Sequence, residues 1–215
     1  MFKYNKTVMD ANVFSFIYGC AMRDAILQRS FRGERRWVVE VPEAQMIVKK
    51  YIERVINGEF SQASEAVKIA HDEAFCEAAI QVCNEINGYP QKPADCGPFE
   101  FGNAQKLINM TVKHVYLHTY TMNLLNLPQV RERFRYCHCP MDSIMLQKVW
   151  ELRKSKLDST FRKPWGNEAF ECDETTKKQT LPKRYKLFQN TILDIIAESN
   201  GDVFTIEFDY IIWKN

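Results

Sequence analysis

Two charged side chains near the middle of the chain have the types and the spacing for nucleophilic chemistry. Lys106 follows a glycine-containing turn, and Asp142 comes two residues after Pro140, a residue typical of the first position of a helix. An unprotonated lysine amine can attack an electrophilic carbon, and a carboxylate can move a proton or stabilise developing positive charge. Both residues are therefore candidates for a catalytic site.

The lysine amine must lose its proton before it reacts, because the ordinary pKa of a lysine is about 10.4. We expect Lys106 in the first turn of a helix, where the positive end of the helix dipole disfavours an ammonium group. Lys113 lies seven residues further on, on nearly the same stripe of that helix, and its charge acts in the same direction. Simpler roles also fit: Lys106 can belong to a solvated helix face, and Asp142 can cap free backbone N–H groups.

The stretch Cys-Gly-Pro-Phe-Glu-Phe-Gly-Asn-Ala-Gln-Lys at 96–106, followed by Pro-Met-Asp at 140–142, resembles the helix-hairpin-helix DNA glycosylases. In that superfamily a glycine-rich hairpin precedes a lysine helix, and a Pro-Val-Asp-type element supplies an essential carboxylate. The gap of 36 positions between the lysine and the aspartate is nearest to the archaeal 8-oxoguanine glycosylase branch. Gly97 and Gly102 are separated by four residues, whereas the family's two glycines usually lie one residue apart.

The resemblance, which covers residues 96–150, implies a base-excision glycosylase, with or without lyase activity, acting on a modified or damaged base flipped out of double-stranded DNA. Lys106 would attack C1′ of the nucleotide, and Asp142 would assist departure of the base. No cofactor is implied. The residues expected to contact DNA are Gly102, Asn103, Lys113, Arg131, Arg133, Arg135 and Lys148. The alternative is a non-catalytic helical module that binds nucleic acid or protein, for example from a mobile element or a phage-defence system.

Local charge supports a nucleic-acid partner, although the whole chain has 29 basic and 27 acidic residues and a net charge of only +2. Between Arg131 and Lys163, nine basic residues stand against four acidic ones, and aromatic residues are interleaved with them. Basic side chains contact phosphates, and aromatic rings stack on bases. An ordinary solvated surface is the competing interpretation.

A zinc site is a second possible chemistry. His114 and His118 are four residues apart on a predicted helix, and Cys137, His138 and Cys139 follow. Nitrogen and sulfur ligands of this kind suit tetrahedral Zn²⁺. The Cys-x-Cys spacing is tighter than usual, and His118 falls on the apolar face, where a hydrogen-bonded core histidine is commoner.

Other function classes are excluded by missing motifs or by composition. The chain has no Gly-x-Ser-x-Gly, Gly-x-Gly-x-x-Gly or Gly-Lys-Thr sequence, which argues against the usual serine hydrolases and nucleotide-binding folds. It has no uncharged apolar run of about 18 residues, and its seven cysteines are scattered and odd in number. We expect a cytoplasmic protein with no membrane partner and no disulfide framework.

Local signals place several helices. Apolar stripes at helical spacing predict helices within 8–28, 104–122 and 185–197. Pro42 and Gly58 stand where a further helix should begin and end, and Ser61 is the expected cap of the next helix.

Hydrophobic periodicity predicts a mostly all-α fold, a single domain over 1–215 of about seven helices with the hairpin-helix segment 96–150 at its centre. Short β segments are possible near 37–41 and 203–210. We favour a short helix at the second, because no other strong strand is available to pair with it. Residues 157–182 have no clear period and are predicted to form a long loop.

Overall fold

The computed structural model describes residues 10–26, 36–122, 128–161, 168–199 and 202–213, and the predicted mostly all-α fold is confirmed. The α-helices are α1 (Ala11–Ile26), α2 (Pro42–Ile56), α3 (Glu65–Gly88), α4 (Phe101–Thr121), α5 (Pro128–Arg131), α6 (Ser143–Arg153), α7 (Lys183–Glu198) and α8 (Phe208–Trp213). Short 3₁₀ turns cover Arg36–Glu40, Glu132–Phe134 and Thr205–Glu207. Strands β1 (Glu171–Cys172) and β2 (Gln179–Thr180) form a small antiparallel hairpin.

Helix α4 is the central element, and it packs against α1 and α3. Most of its residues are buried, including polar ones, so it is surrounded by other parts of the protein over most of its length. Asn103 fixes its beginning: the side-chain oxygen accepts from the backbone N–H of Glu100 at 3.1 Å, and the side-chain amide donates to the carbonyl of Ala25 in α1 at 2.9 Å. One buried side chain thus starts α4 and joins it to α1.

The helix boundaries follow local capping chemistry. Pro42 occupies the first position of α2, and Gly58, just after that helix, adopts a φ of 81°, as the sequence predicted for a helix end. Helix α3 begins after Ser64, whose hydroxyl accepts from the N–H of Val67 at 3.2 Å. The prediction that Ser61 caps α3 was wrong by one turn, because Ser64 has the extended backbone that a cap requires.

Neither segment considered for β structure forms a strand. Residues 37–41 fall in and just after a 3₁₀ turn, and residues 203–210 enter a second such turn that continues into α8. The backbone N–H of Phe204 donates to the carboxylate of Glu207 at 2.8 Å, which starts that turn without any partner strand. The strands that do form lie in 157–182, predicted as a loop, where Glu171 faces Thr180 and Cys172 faces Gln179. Residues 162–167 of that loop lie outside the described residues.

Two glutamines hold the segment 137–142, which leads into α6. Gln105 of α4 accepts from the N–H of Met141 at 3.2 Å and donates to its carbonyl at 2.8 Å. Gln189 of α7 makes the same reciprocal pair with Cys139, at 3.1 and 2.8 Å. Each side-chain amide bonds both the N–H and the carbonyl of one residue, as a neighbouring β-strand would. These bonds fix the start of α6 relative to α4 and α7.

None of the helices in the described ranges has both the length and the apolar character needed to cross a membrane.

Candidate active site

The structure brings Lys106 and Asp142 together. Nζ of Lys106, on α4, lies 3.6 Å from Oδ2 of Asp142, the residue just before α6. The two side chains are 14% and 27% exposed, so the pair is neither sealed in the core nor fully solvated. A nucleophile and an acid–base group need this proximity together with access to a substrate.

The two carboxylate oxygens of Asp142 have different partners. Oδ1 accepts from the backbone N–H groups of Ile144 and Met145 at 3.0 and 2.9 Å, which makes Asp142 the N-cap of α6. The helix therefore begins at Ser143, and the prediction that Pro140 opens it was wrong. The capping role foreseen for Asp142 is confirmed, and Oδ2 remains directed towards Lys106.

Lys106 is the sixth residue of α4, because that helix begins at Phe101 and not at Ala104. The expectation that Lys106 lies in the first turn was therefore wrong, and the helix dipole, which fades beyond that turn, acts on it weakly. Gly102 lies inside the helix, so only one of the two glycines, Gly97, belongs to the turn that precedes α4. Gln105, the neighbour of Lys106, donates to the carbonyl of Met141, the residue before Asp142, at 2.8 Å.

Lys113 is engaged by a different partner. It forms an ion pair with Asp209 of α8, and its Nζ lies 4.7 Å from the centre of the Tyr210 ring. Burial raises the pKa of Asp209 and outweighs the opposing effect of Lys113. The Lys113 ammonium thus compensates a buried carboxyl group in this structure.

The other side chains expected to contact DNA have internal roles or are buried, with one exception. Gly102 and Asn103 are buried. The arginines make intramolecular bonds: Arg131 pairs with Asp202 at 2.9 Å and Glu207 at 2.8 Å, Arg133 donates to the carbonyl of Ile56 at 2.7 Å, and Arg135 pairs with Glu132. Lys148 is the exposed member of the predicted set. It lies on α6, the helix that Asp142 caps.

The zinc ligands predicted from the sequence do not converge. Within the residues that the structure describes, one group of three or more potential ligands is close enough to hold a metal ion, and its members are His71, Asp72 and His138. His114, His118, Cys137 and Cys139 are outside it. Burial also raises the pKa of the Cys137 and Cys139 thiols, which favours the neutral thiol over the thiolate that binds zinc.

The His71, Asp72 and His138 group is part of a partly buried polar network. Oδ1 of Asp72 lies 2.9 Å from Nε2 of His138 and 3.4 Å from Nδ1 of His71. The other ring nitrogens face tyrosine hydroxyls, His138 Nδ1 that of Tyr185 at 3.0 Å and His71 Nε2 that of Tyr51 at 2.8 Å. The network continues to α4, where Asn109 bonds both the Tyr185 hydroxyl and Gln105, at 2.8 and 3.2 Å.

Sequence reasoning included His138 among the possible zinc ligands but missed its partners His71 and Asp72. A signal for His71 was present, because it lies on the apolar face of α3 at helical spacing from Ala74, Phe75 and Ala78, all of which are buried. Its pairing with His138 could not be foreseen, since 66 residues separate Asp72 from His138.

Comparisons of the chain with protein-family models, with curated proteins and with solved structures found no match.

Proposed function

We propose that the protein is a DNA base-excision glycosylase with lyase activity, in which Lys106 is the nucleophile and Asp142 the acid–base group. One observation carries the proposal: Lys106 Nζ and Asp142 Oδ2, from residues 36 positions apart, lie 3.6 Å from each other at a partly exposed site. Their residue types and order along the chain are those of the lysine and aspartate of the helix-hairpin-helix glycosylases that the segment 96–150 resembles.

The chemistry requires one proton to move from Lys106 through Asp142. The Lys106 ammonium transfers its proton to Oδ2 of Asp142, and the free amine attacks C1′ of a flipped nucleotide. The bond between C1′ and the base then breaks, the electron pair leaves with the base, and Asp142 returns the proton to the departing base. The nitrogen bonded to C1′ then gives up a second proton, and its lone pair forms the C=N bond as the C1′–O4′ bond breaks. O4′ keeps the electron pair of the broken bond and takes up that proton, which leaves an open sugar joined to Lys106 as a protonated Schiff base. Because Oδ1 stays bonded to the start of α6, the carboxylate keeps its position through these steps.

The surroundings of the pair suit a duplex carrying a flipped base. Ser143 and Ile144, the first residues of α6, are exposed beside Asp142. Lys148 is exposed four residues after Ile144, which places both on one face of α6. This face offers an apolar side chain and a phosphate-binding lysine next to the carboxylate.

Borohydride trapping on a panel of duplexes with different modified bases, including an abasic site, tests the proposal. We expect wild-type protein to be trapped covalently on its substrate. Lys106→Gln should abolish trapping while DNA binding is retained. Asp142→Asn should slow base release roughly 10²–10⁴-fold. Asparagine caps a helix as well as aspartate does, so this variant keeps the structure of α6 while removing the acid–base group.

Lys50→Gln is the matched control, because Lys50 is an exposed lysine of α2 outside the pair. Lys113→Gln is unsuitable as a control, because it would break the ion pair with Asp209. Base release at the wild-type rate by Lys106→Gln would refute the proposal. Salt-sensitive DNA binding without base release on any duplex would favour the non-catalytic module.

A further inference from the structure

A second cluster of chemically capable side chains lies apart from the Lys106–Asp142 pair. His71 and Asp72 come from α3, and His138 comes from the segment 137–142. Two imidazoles and one carboxylate are a common ligand set for divalent first-row transition metals, including catalytic zinc and non-haem iron. We propose that these three residues bind such an ion, with Zn²⁺ as the model case. This inference does not rest on the proposed glycosylase activity.

The spacing of the ligand atoms fits an ion of this class. Two ligands at about 2.1 Å from a tetrahedral Zn²⁺ lie about 3.4 Å from each other. Oδ1 of Asp72 is 3.4 Å from Nδ1 of His71 and 2.9 Å from Nε2 of His138, and all three atoms lie within 4.8 Å of one another. Small side-chain movements would therefore suffice to place one ion between them.

The two histidine rings are held from behind, as in established metal sites. In each ring, the nitrogen that faces away from Asp72 lies beside a tyrosine hydroxyl. His71 Nε2 is 2.8 Å from the hydroxyl of Tyr51, and His138 Nδ1 is 3.0 Å from that of Tyr185. Such contacts orient a ligating imidazole and fix its tautomer. Because a tyrosine hydroxyl both donates and accepts, it can serve the ring with or without an ion bound to the opposite nitrogen.

The cluster is open on one side. Asp72 and His138 line a cavity of about 110 Å³, which has room for several water molecules. Lys68, Arg135 and Lys186 also line it. Three protein ligands beside an open cavity leave a coordination position for water or a substrate, as in catalytic and not structural zinc sites. The basic lining selects an anionic group, such as a carboxylate or a phosphate ester, as the species that would bind the ion from this cavity.

Metal titration of chelator-treated protein tests the inference. We expect Zn²⁺ and Co²⁺ to bind at one ion per chain and to raise the unfolding temperature through preferential binding to the folded state. Mg²⁺ should not, because it prefers oxygen ligands. The visible spectrum of the Co²⁺ form should show nitrogen and oxygen coordination without a thiolate charge-transfer band.

Asp72→Asn is the main variant, because its side chain is one third exposed whereas His71 is fully buried and its replacement can unfold the protein. We expect at least roughly a 100-fold loss of Zn²⁺ affinity from it, and roughly a 10–100-fold loss from Tyr185→Phe. The chain has four histidines, so His114→Gln and His118→Gln are matched controls that should leave affinity unchanged.

Three results would overturn the inference. The first is the absence of stoichiometric Zn²⁺ binding by wild-type protein, and the second is an unchanged Zn²⁺ affinity in Asp72→Asn. The third is a sign of other ligands, either a thiolate band in the Co²⁺ spectrum of wild-type protein or a loss of Zn²⁺ affinity in His114→Gln. The last result would instead favour ligands from the Cys137, Cys139 and α4 histidine set.

Discussion

Helix α4 carries two lysine–aspartate pairs that use the same residue types on nearly the same stripe and yet have different settings. Lys106 pairs with Asp142 (the outer pair), and Lys113 pairs with Asp209 (the inner pair). Both lysine side chains are 14% exposed, but Asp142 is 27% exposed and Asp209 only 5%. The two pairs therefore differ in the burial of the aspartate and not in the burial of the lysine.

The partner carboxylate determines what each lysine can do. In the outer pair, the backbone of α6 satisfies Oδ1 of Asp142, so the carboxylate does not depend on Lys106 alone. In the inner pair, Oδ1 of Asp209 is buried and has no hydrogen-bond partner among the described residues. Lys113 therefore compensates a buried carboxylate, whereas Lys106 faces a carboxylate that already has backbone partners.

The largest expected effect comes from breaking the inner pair. Lys113→Met should lower the free energy of unfolding by about 3 kcal/mol, because it leaves the Asp209 charge buried and uncompensated. Urea unfolding at pH 7 measures this loss. The double variant Lys113→Met/Asp209→Leu should recover most of it, since an apolar pair leaves no buried charge. A loss below about 1 kcal/mol in the single variant would show that Asp209 is not charged and buried in solution.

The loss in Lys113→Met should also depend on pH. Burial already raises the pKa of Asp209, and removing Lys113 takes away the charge that opposes this effect. In the folded variant, the raised pKa keeps a proton on Asp209 at pH values where the unfolded chain, with an ordinary aspartate pKa, has already released it. Stability relative to wild type is therefore lowest at neutral pH and recovers as the pH falls towards about 4. Unfolding at pH 7 and pH 5 checks the sign, and an equal deficit at both would indicate lost packing instead of lost charge.

The next effect concerns the glutamine that positions the outer pair. Gln105→Leu should cost about 2 kcal/mol, because the backbone N–H and carbonyl of Met141 lose their buried partners. Gln189→Leu is the matched comparison, since Gln189 makes the same contacts with Cys139. Similar losses in urea unfolding would support an equivalent role for the two glutamines. A loss below about 0.5 kcal/mol in Gln105→Leu would mean that something else holds Met141 beside α4.

Much of the fold followed from the sequence, because amphipathic periodicity reports which helix faces are buried. The stripes in α1, α2, α4 and α7 predicted those helices, and Pro42 and Gly58 marked the limits of α2. The β-hairpin at 171–180 could not be predicted, because two-residue strands leave no alternating pattern. Helix starts at Phe101 and Ser143 depended on capping contacts that periodicity does not report.

The site could be predicted only where its residues lie in one recognisable stretch. Lys106 and Asp142 were named together because both lie in the segment 96–150, and the structure has them 3.6 Å apart, while their catalytic role stays a prediction. The pairing of Lys113 with Asp209 spans 96 residues and joins α4 to a segment whose pattern fitted both strand and helix, so no local signal pointed to it. The internal bonds of Arg131 and Arg133 are likewise tertiary, and local charge counting took these residues for a binding surface.

A smaller effect separates the cap from the charge at Asp142. Asp142→Ala should cost about 1 kcal/mol of stability, because two N–H groups at the start of α6 lose their acceptor. Asp142→Asn should cost only a few tenths of a kcal/mol, since its amide oxygen still accepts these bonds. Thermal or urea unfolding of both variants measures the difference. Equal losses would mean that the carboxylate charge, and not the cap, stabilises this region.

The smallest expected effect is the most direct test of the comparison. Lys106→Met should change the free energy of unfolding by less than about 0.5 kcal/mol, because the outer pair is partly solvated and its atoms, at 3.6 Å, are beyond hydrogen-bond distance. The same substitution type at Lys113 is expected to cost at least about six times as much, although the two lysines are equally exposed. Parallel urea unfolding of the two variants gives the ratio directly. Losses of similar size would show that Lys106 is a structural residue like Lys113, and a lysine needed to hold the fold is poorly suited to leave its carboxylate and attack a nucleotide.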